Sequence, residues 1–287
     1  MSTQGVQTSC GSLEGCDMMK LGRTARITVL LLLLWITGCG DGMTSKEQGN
    51  AVHNMGEESA SRQMTVYLAG DSTVSNYTAD RAPRAGWGQM IGGLLDKQVN
   101  VHNAASSGRS SKSFIDEGRL DPILQQIGKG DYLLIQFGHN DEKKEDPSRY
   151  TEPNMTYKSF LKQYIDGARN KGAEPVLITP VERNGFDANG RLKDSHRFYT
   201  EAMKSLGKEL KVPVIDLTAK SKALFEKLGP EATKELFLHL EPGQSPNYPE
   251  GVQDNTHFSE RGALEMAKLV VEGIVELQLP LSRHVIK

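Results

Sequence analysis

Four short blocks of the chain carry residue types that together can hydrolyse an ester. The first, Leu68-Ala69-Gly70-Asp71-Ser72-Thr73, puts a serine directly after an apolar run, at a glycine turn where a nucleophile is both reachable and rigidly held. Taken alone, such a turn is as well explained by Asp71 or Ser72 capping a helix. The second, Asn103-Ala104-Ala105-Ser106-Ser107-Gly108-Arg109-Ser110, offers at Gly108 a backbone N–H that a substrate oxygen can approach without meeting a side chain; an ordinary flexible loop is the plainer reading. In the third, Gln136-Phe137-Gly138-His139-Asn140-Asp141, the Asn140 amide can point at the same oxygen, although an asparagine in this setting is most often a turn residue.

The fourth block, Asp254-Asn255-Thr256-His257, sets a carboxylate and an imidazole three residues apart in one turn, just before the last helical pattern. Serine is a poor nucleophile until a neutral imidazole takes its proton. A carboxylate on the other ring nitrogen fixes the tautomer and stabilises the cation that results. By itself the pair also fits a helix N-cap beside a surface histidine. An unperturbed imidazole titrates near about 6.5, so a base of this kind predicts activity that rises with pH through its titration.

These residues need elements to position them. Short β-branched or apolar runs at Met64–Ala69, Val99–Ala104, Tyr132–Phe137, Pro175–Thr179 and Val212–Asp216 read as five strands. Between them lie helical patterns: Phe160, Leu161, Tyr164, Ile165 and Ala168 recur at helical spacing. So do Leu264, Ala267, Val271 and Ile274, with Ser259 placed to cap that last helix. Alternation of this kind predicts a parallel sheet between helices with right-handed crossovers, and functional groups in such folds collect at the carboxyl ends of the strands. Three of the four blocks fall there.

In this order, the blocks resemble the signature of the SGNH (GDSL-type) hydrolase superfamily, with Ser72, Gly108, Asn140 and His257 at its four positions and Asp254 completing the DxxH element. The resemblance spans Met64 to about Glu276. More narrowly, YLAGDSTV, GWGQM, GRSSKSF, QFGHND and DNTHF are similar to rhamnogalacturonan acetylesterases of carbohydrate esterase family 12. That resemblance implies a flavodoxin-like three-layer α/β/α sandwich with a five-stranded parallel sheet. It also implies a serine mechanism without metal or other cofactor, through an acetyl-serine whose oxyanion is held by the Ser72 and Gly108 N–H groups and the Asn140 amide. The substrate it implies is acetylated rhamnogalacturonan of the plant cell wall, which composition and spacing do not reveal. Within the same chemistry, acetylated xylan, short-chain esters and lysophospholipids are alternatives. A lipid-anchored carbohydrate-binding protein without turnover is the alternative of another class.

Candidates for substrate contact are fewer. Trp87, in Gly86-Trp87-Gly88, either stacks on a sugar ring or fills core. Arg109 and Lys112 either pair with galacturonate carboxylates or sit solvated on the surface. His196 either caps a helix or touches substrate, and His139 shapes the pocket beside Asn140. No HExxH or close histidine pair on a helix occurs, so no catalytic zinc is expected.

The 287-residue chain has a net charge of −2, which excludes an electrostatic nucleic-acid binder. Its one long apolar run, Ile27–Ile36, is too short for a transmembrane helix of about 20 residues. Preceded by Lys20, Arg23 and Arg26 and closed by Gly38-Cys39, that run reads as the apolar core of a secretory signal, with translation opening at Met18 or Met19. Ile36-Thr37-Gly38-Cys39 resembles a bacterial lipobox, which makes Cys39 the acylated first residue of the mature protein and its only membrane contact; secretion is the alternative. All three cysteines, Cys10, Cys16 and Cys39, lie in this leader of residues 1–39. The rest of the chain therefore has neither disulfide nor cysteine nucleophile. Residues 40–63 are polar, small and without periodicity, as a flexible tether would be, and residues 64–287 form the hydrolase domain.

Overall fold

Neighbouring side chains on a strand point to opposite faces, so a run that is apolar at every position must be covered on both sides. The computed structural model describes residues 63–286. The leader, Cys39 and tether residues 40–62 lie outside the described residues. In chain order the regular elements are β1 (Met64–Gly70), β2 (Arg84–Ala85), α1 (Trp87–Met90), β3 (Val99–Asn103), α2 (Ser111–Asp116), α3 (Leu120–Gln126) and β4 (Tyr132–Gln136). There follow α4 (Lys158–Asn170), β5 (Glu174–Ile178), α5 (Arg197–Leu210), β6 (Val214–Ile215), α6 (Leu217–Lys234), β7 (Phe237–Leu240), β8 (Val252–Ser259) and α7 (Glu260–Glu276).

Strands β3-β1-β4-β5-β6 form a parallel sheet in that spatial order. Alternation along them divides the interior. Val66, Leu68, Leu134, Val176 and Ile178 face one core with Trp87 of α1, Phe225 of α6 and Met266, Val270 and Ile274 of α7. Tyr67, Ala69, Leu133, Ile135 and Leu177 face a second with Phe114 of α2, Ile123 of α3, Leu161, Tyr164 and Ile165 of α4 and Met203 and Leu206 of α5. Each fully buried aliphatic side chain contributes about 2 kcal/mol, so both faces hold the sheet. The three-layer α/β/α sandwich with five parallel strands is the one expected, and each predicted strand is present. The last shrinks to Val214–Ile215 because Pro213 has no N–H to donate and Asp216 turns away to cap α6, its Oδ1 accepting from Ala219 N at 3.1 Å.

A second, three-stranded antiparallel sheet, β2-β8-β7, was not foreseen. It places Asp254 and His257 within a strand rather than in a free turn. Leu238 pairs with Asp254 and the adjacent Phe237 pairs with Phe258, so Asn255, Thr256 and His257 have no partners opposite and bulge outward. The strand then runs into α7, where the Ser259 hydroxyl accepts from Gly262 N at 3.2 Å as the cap predicted. A Cβ at Gly262 would lie 1.8 Å from the Leu236 carbonyl oxygen, so only glycine lets α7 pack this tightly on the turn before β7.

Candidate active site

The serine turn is built by Asp71. Its Oδ1 accepts from Thr73 N (2.9 Å) and Thr73 Oγ1 (2.8 Å), and its carbonyl accepts from Val74 N, Ser75 N and the Ser75 hydroxyl. Thr73 Oγ1 also accepts from Gln136 Nε2 (2.6 Å), and Gln136 Oε1 accepts from the Trp87 indole N–H (2.8 Å). This buried chain ties the turn to β4 and α1 and leaves Ser72 at the carboxyl end of β1 with 6% of its surface exposed.

The β8 bulge delivers the partners. His257 Nε2 lies 2.9 Å from Ser72 Oγ, and His257 Nδ1 lies 2.6 Å from Asp254 Oδ2. The other oxygen of Asp254 accepts from the backbone N–H groups of Thr256 (2.8 Å) and His257 (3.0 Å), which locks the bulge around the carboxylate. Partial burial pushes the Asp254 pKa up, but the bonds and charge of His257 and the two N–H donors outweigh it. The group is held well below the ordinary carboxylate range.

On the opposite side, Gly108 has φ +79°, a conformation that costs any other residue about 1–2 kcal/mol. Asn140 is 4% exposed. Its Nδ2 donates to the Arg109 carbonyl at 3.0 Å, leaving its second hydrogen for another acceptor, and the Arg149 guanidinium makes long contacts to Asn140 Oδ1 (3.4 Å) and the Gly108 carbonyl (3.5 Å). A donor on one end and an acceptor on the other assign the amide's orientation.

Below this loop Asp141 is wholly buried and accepts from Ser111 N (3.1 Å), Ser111 Oγ (2.5 Å) and Thr151 Oγ1 (3.0 Å). Burial nevertheless pushes its pKa up to about 7. Three tyrosine hydroxyls brace backbone carbonyls nearby: Tyr157 that of Phe137, Tyr164 that of Ser111, and Tyr199 those of Asp141 and Thr151.

Beside His139 and His196, which the sequence marked and the fold buries, several supporting residues escaped the sequence reading. His139 packs against His196, the rings tilted by 55° with centroids 4.2 Å apart, and sits 3.4 Å from Asp71 Oδ2. Burial, with the neighbouring His196, lowers its pKa to about 4, so at neutral pH it is an uncharged wedge under the serine turn. His196 Nδ1 meets Glu142 Oε2 (2.9 Å), Glu142 Oε1 meets Arg183 Nη2 (2.8 Å), and Arg183 Nη1 reaches Thr256 Oγ1 (2.5 Å) inside the bulge. Gln136, polar inside the apolar run Tyr132–Phe137, was the one visible signal. Glu142, Arg149 and Arg183 had none.

The catalytic candidates Ser72, Asp254 and His257 thus come together. The Gly108 loop, which Asn140 holds through the Arg109 carbonyl, is tied to the serine turn by Ser106 N donating to the Gly70 carbonyl at 2.9 Å. The substrate candidates divide. Trp87 is 1% exposed and committed to Gln136, so it fills core and cannot stack on a sugar. The His196 side chain is fully buried against Glu142 and His139 and cannot touch substrate; it stands at the start of α5 without making a cap bond. Arg109 and Lys112 do line a pocket of about 380 Å³ beside Gly108. Each already has an acidic partner at the surface, Arg109 in Glu117 (3.0 Å) and Lys112 in Asp116 (2.7 Å). Among the described residues no group of three or more His, Cys, Asp or Glu side chains is arranged to hold a metal ion.

An α/β/α sandwich with a hydrogen-bonded Ser-His-Asp line at the strand ends defines a hydrolase of the serine type. A family model described as the GDSL-like Lipase/Acylhydrolase family matches residues 68–263, and the chain belongs to this family. It is 54% identical over 225 residues, 78% of this chain and 95% of the relative, to the rhamnogalacturonan acetylesterase RhgT of Bacillus subtilis (strain 168). It is 49% identical over 222 residues, 77% and 97% of the two chains, to the probable rhamnogalacturonan acetylesterase YesY of the same organism. Among solved structures, that of Bacillus subtilis YxiM superposes with a TM-score of 0.65 at 31% identity, covering 76% of this chain and 58% of that one.

Proposed function

We propose that the protein removes acetyl groups from rhamnogalacturonan through an acetyl-Ser72 intermediate. The observation that carries the chemistry is the line Asp254 Oδ2 to His257 Nδ1 (2.6 Å) and His257 Nε2 to Ser72 Oγ (2.9 Å). The substrate is supported by the extent of identity to relatives named for that activity. His257 takes the serine proton as Ser72 Oγ attacks the acetyl carbonyl. The tetrahedral oxyanion is held by the Ser72 and Gly108 N–H groups and the Asn140 amide, and the sugar hydroxyl leaves with the proton returned by His257. Water deprotonated by the same histidine then releases acetate. Asp254, held ionised, keeps the imidazole in the tautomer that accepts from serine.

The test is acetate release from acetylated rhamnogalacturonan, acetylated xylan and p-nitrophenyl esters of increasing chain length, with Ser72→Ala beside the wild type. The expected result is Ser72-dependent release with preference for the pectic polymer. Turnover confined to the other esters would remove the pectic assignment. Saturable polysaccharide binding with no Ser72-dependent release would replace the enzyme by a binding protein.

The same reading takes residues 1–39 as a lipoprotein-type leader, Cys39 as the acylated anchor on the outer side of the membrane, and residues 40–63 as a tether for the domain at 64–287. Metabolic labelling with a radioactive fatty acid should mark the wild type and not Cys39→Ala. An unlabelled wild type would favour simple secretion.

A further inference from the structure

A polysaccharide in which galacturonate alternates with rhamnose carries a carboxylate on or beside every acetylated sugar. A protein with a net charge of −2 has no overall field to attract it. Recognition has to be local, and several cations around the serine already have acidic partners: Arg109 has Glu117, Lys112 has Asp116, Arg149 has Asp146 (2.6 Å) and Arg183 has Glu142.

Arg84 differs. It lies on β2, paired with Ser259 on the strand that carries His257, and its guanidinium carbon sits 4.6 Å above the Tyr77 ring. Among the described residues no carboxylate comes within ion-pair distance of it. Its Nε is buried without a hydrogen-bond partner, a costly state for a charged donor. Tyr77 does not neutralise it. Burial raises the phenol's pKa, with Ser107 and Arg84 opposing, so Tyr77 remains uncharged.

The position is adjacent to the chemistry. The Tyr77 hydroxyl donates to the Ser72 carbonyl at 2.7 Å and lies 2.9 Å from Ser107 Oγ, next to Gly108. Arg84, Tyr77, Ser107, Asn76, Thr78 and Arg81 line a pocket of about 290 Å³. Arg81 has only a 3.7 Å contact to the exposed Asp80, so the pocket holds two guanidinium groups and neutral hydroxyl and amide groups. Such a lining suits a single anionic sugar, its carboxylate taken by a planar fork of donors and its hydroxyls by Asn76 and Ser107.

We propose that Arg84 is a specificity-determining residue that binds a uronate carboxylate of the polymer, in the pocket it shares with Tyr77 and Ser107. This rests on the polysaccharide deacetylase reading above. The experiment compares kcat/KM on acetylated rhamnogalacturonan with that on the same polymer after carboxyl reduction, for the wild type, Arg84→Gln and Arg84→Lys. Wild type should favour the native polymer by about tenfold or more, the usual reach of one charge-assisted bidentate contact. Arg84→Gln should bring the ratio close to one, Arg84→Lys should restore part of it, and added salt should lower it in the wild type. Equal losses on both polymers in Arg84→Gln would overturn the proposal, because an arginine that only steadies Tyr77 and the serine turn slows both alike. Inhibition of p-nitrophenyl acetate hydrolysis by free galacturonate separates this failure from failure of the substrate reading. It should weaken in Arg84→Gln even if the pectic polymer proves not to be the substrate. No inhibition of the wild type would count against the pocket itself.

Discussion

The two halves of the catalytic line are held in opposite ways. Ser72 is 6% exposed and stands on a turn anchored in the buried interior through Asp71, Thr73, Gln136 and Trp87. His257 and Asp254, with side chains 22% and 26% exposed, ride on a bulge of a small antiparallel sheet and are fixed chiefly by two backbone N–H groups onto one carboxylate. The nucleophile needs a fixed position against the oxyanion donors, which the core provides. The base must meet both a departing sugar and an arriving water, which an exposed bulge permits.

The sharpest way to break this contrast is to remove either end. Ser72→Ala and His257→Ala should each lower kcat for p-nitrophenyl acetate by about 10⁴-fold or more, and the double variant should be hardly slower, because the pair acts as one unit. Losses that multiply would show the two ends to act independently. Asp254→Asn should cost about 10³- to 10⁴-fold by disturbing the imidazole tautomer. Because the folded pKa of Asp254 lies below its unfolded value, its contribution to stability is present above about pH 4 and disappears as pH falls through the folded value. Chemical denaturation between pH 6 and pH 3 should therefore show wild type losing more stability than Asp254→Asn, and parallel curves would contradict the assignment.

Asn140→Ala tests the donor side, with an expected fall of about 10²- to 10³-fold in kcat and little change in KM. A raised KM at unchanged kcat would place Asn140 in ground-state binding instead. Trp87→Phe, the mildest, probes the core end of the serine anchor. It leaves Gln136 Oε1 buried without its donor, so thermal unfolding should report a loss of about 1–3 kcal/mol, with kcat reduced less than tenfold. A large kcat loss with unchanged stability would mean that the indole N–H acts on the chemistry directly.

The residues that carry chemistry were legible because each sits in a local motif: Ser72 at the end of β1, Asn140 just after β4, and Asp254 and His257 three apart. What positions them was not. Leu238 and Asp254 come together through β7-β8 pairing, and a four-residue strand beside a bulged one breaks the alternation by which strands are read. The contact candidates Trp87 and His196 failed for a related reason. Tryptophan, arginine and lysine look alike in sequence whether they face solvent, core or a carboxylate, and only packing decided that Trp87 lies under the serine turn and Arg109 against Glu117.

Local chemistry written along the chain thus determined the five strands, the order of the four blocks and the reaction they can perform, since strand periodicity and side-chain function are properties of neighbouring residues. Tertiary structure alone decided that a histidine 185 positions from the serine comes within 2.9 Å of it, and that Arg84, beside the serine turn, has among the described residues neither a carboxylate partner nor a bond to its Nε. Whether a charge is paired or free depends on which distant segment packs against it.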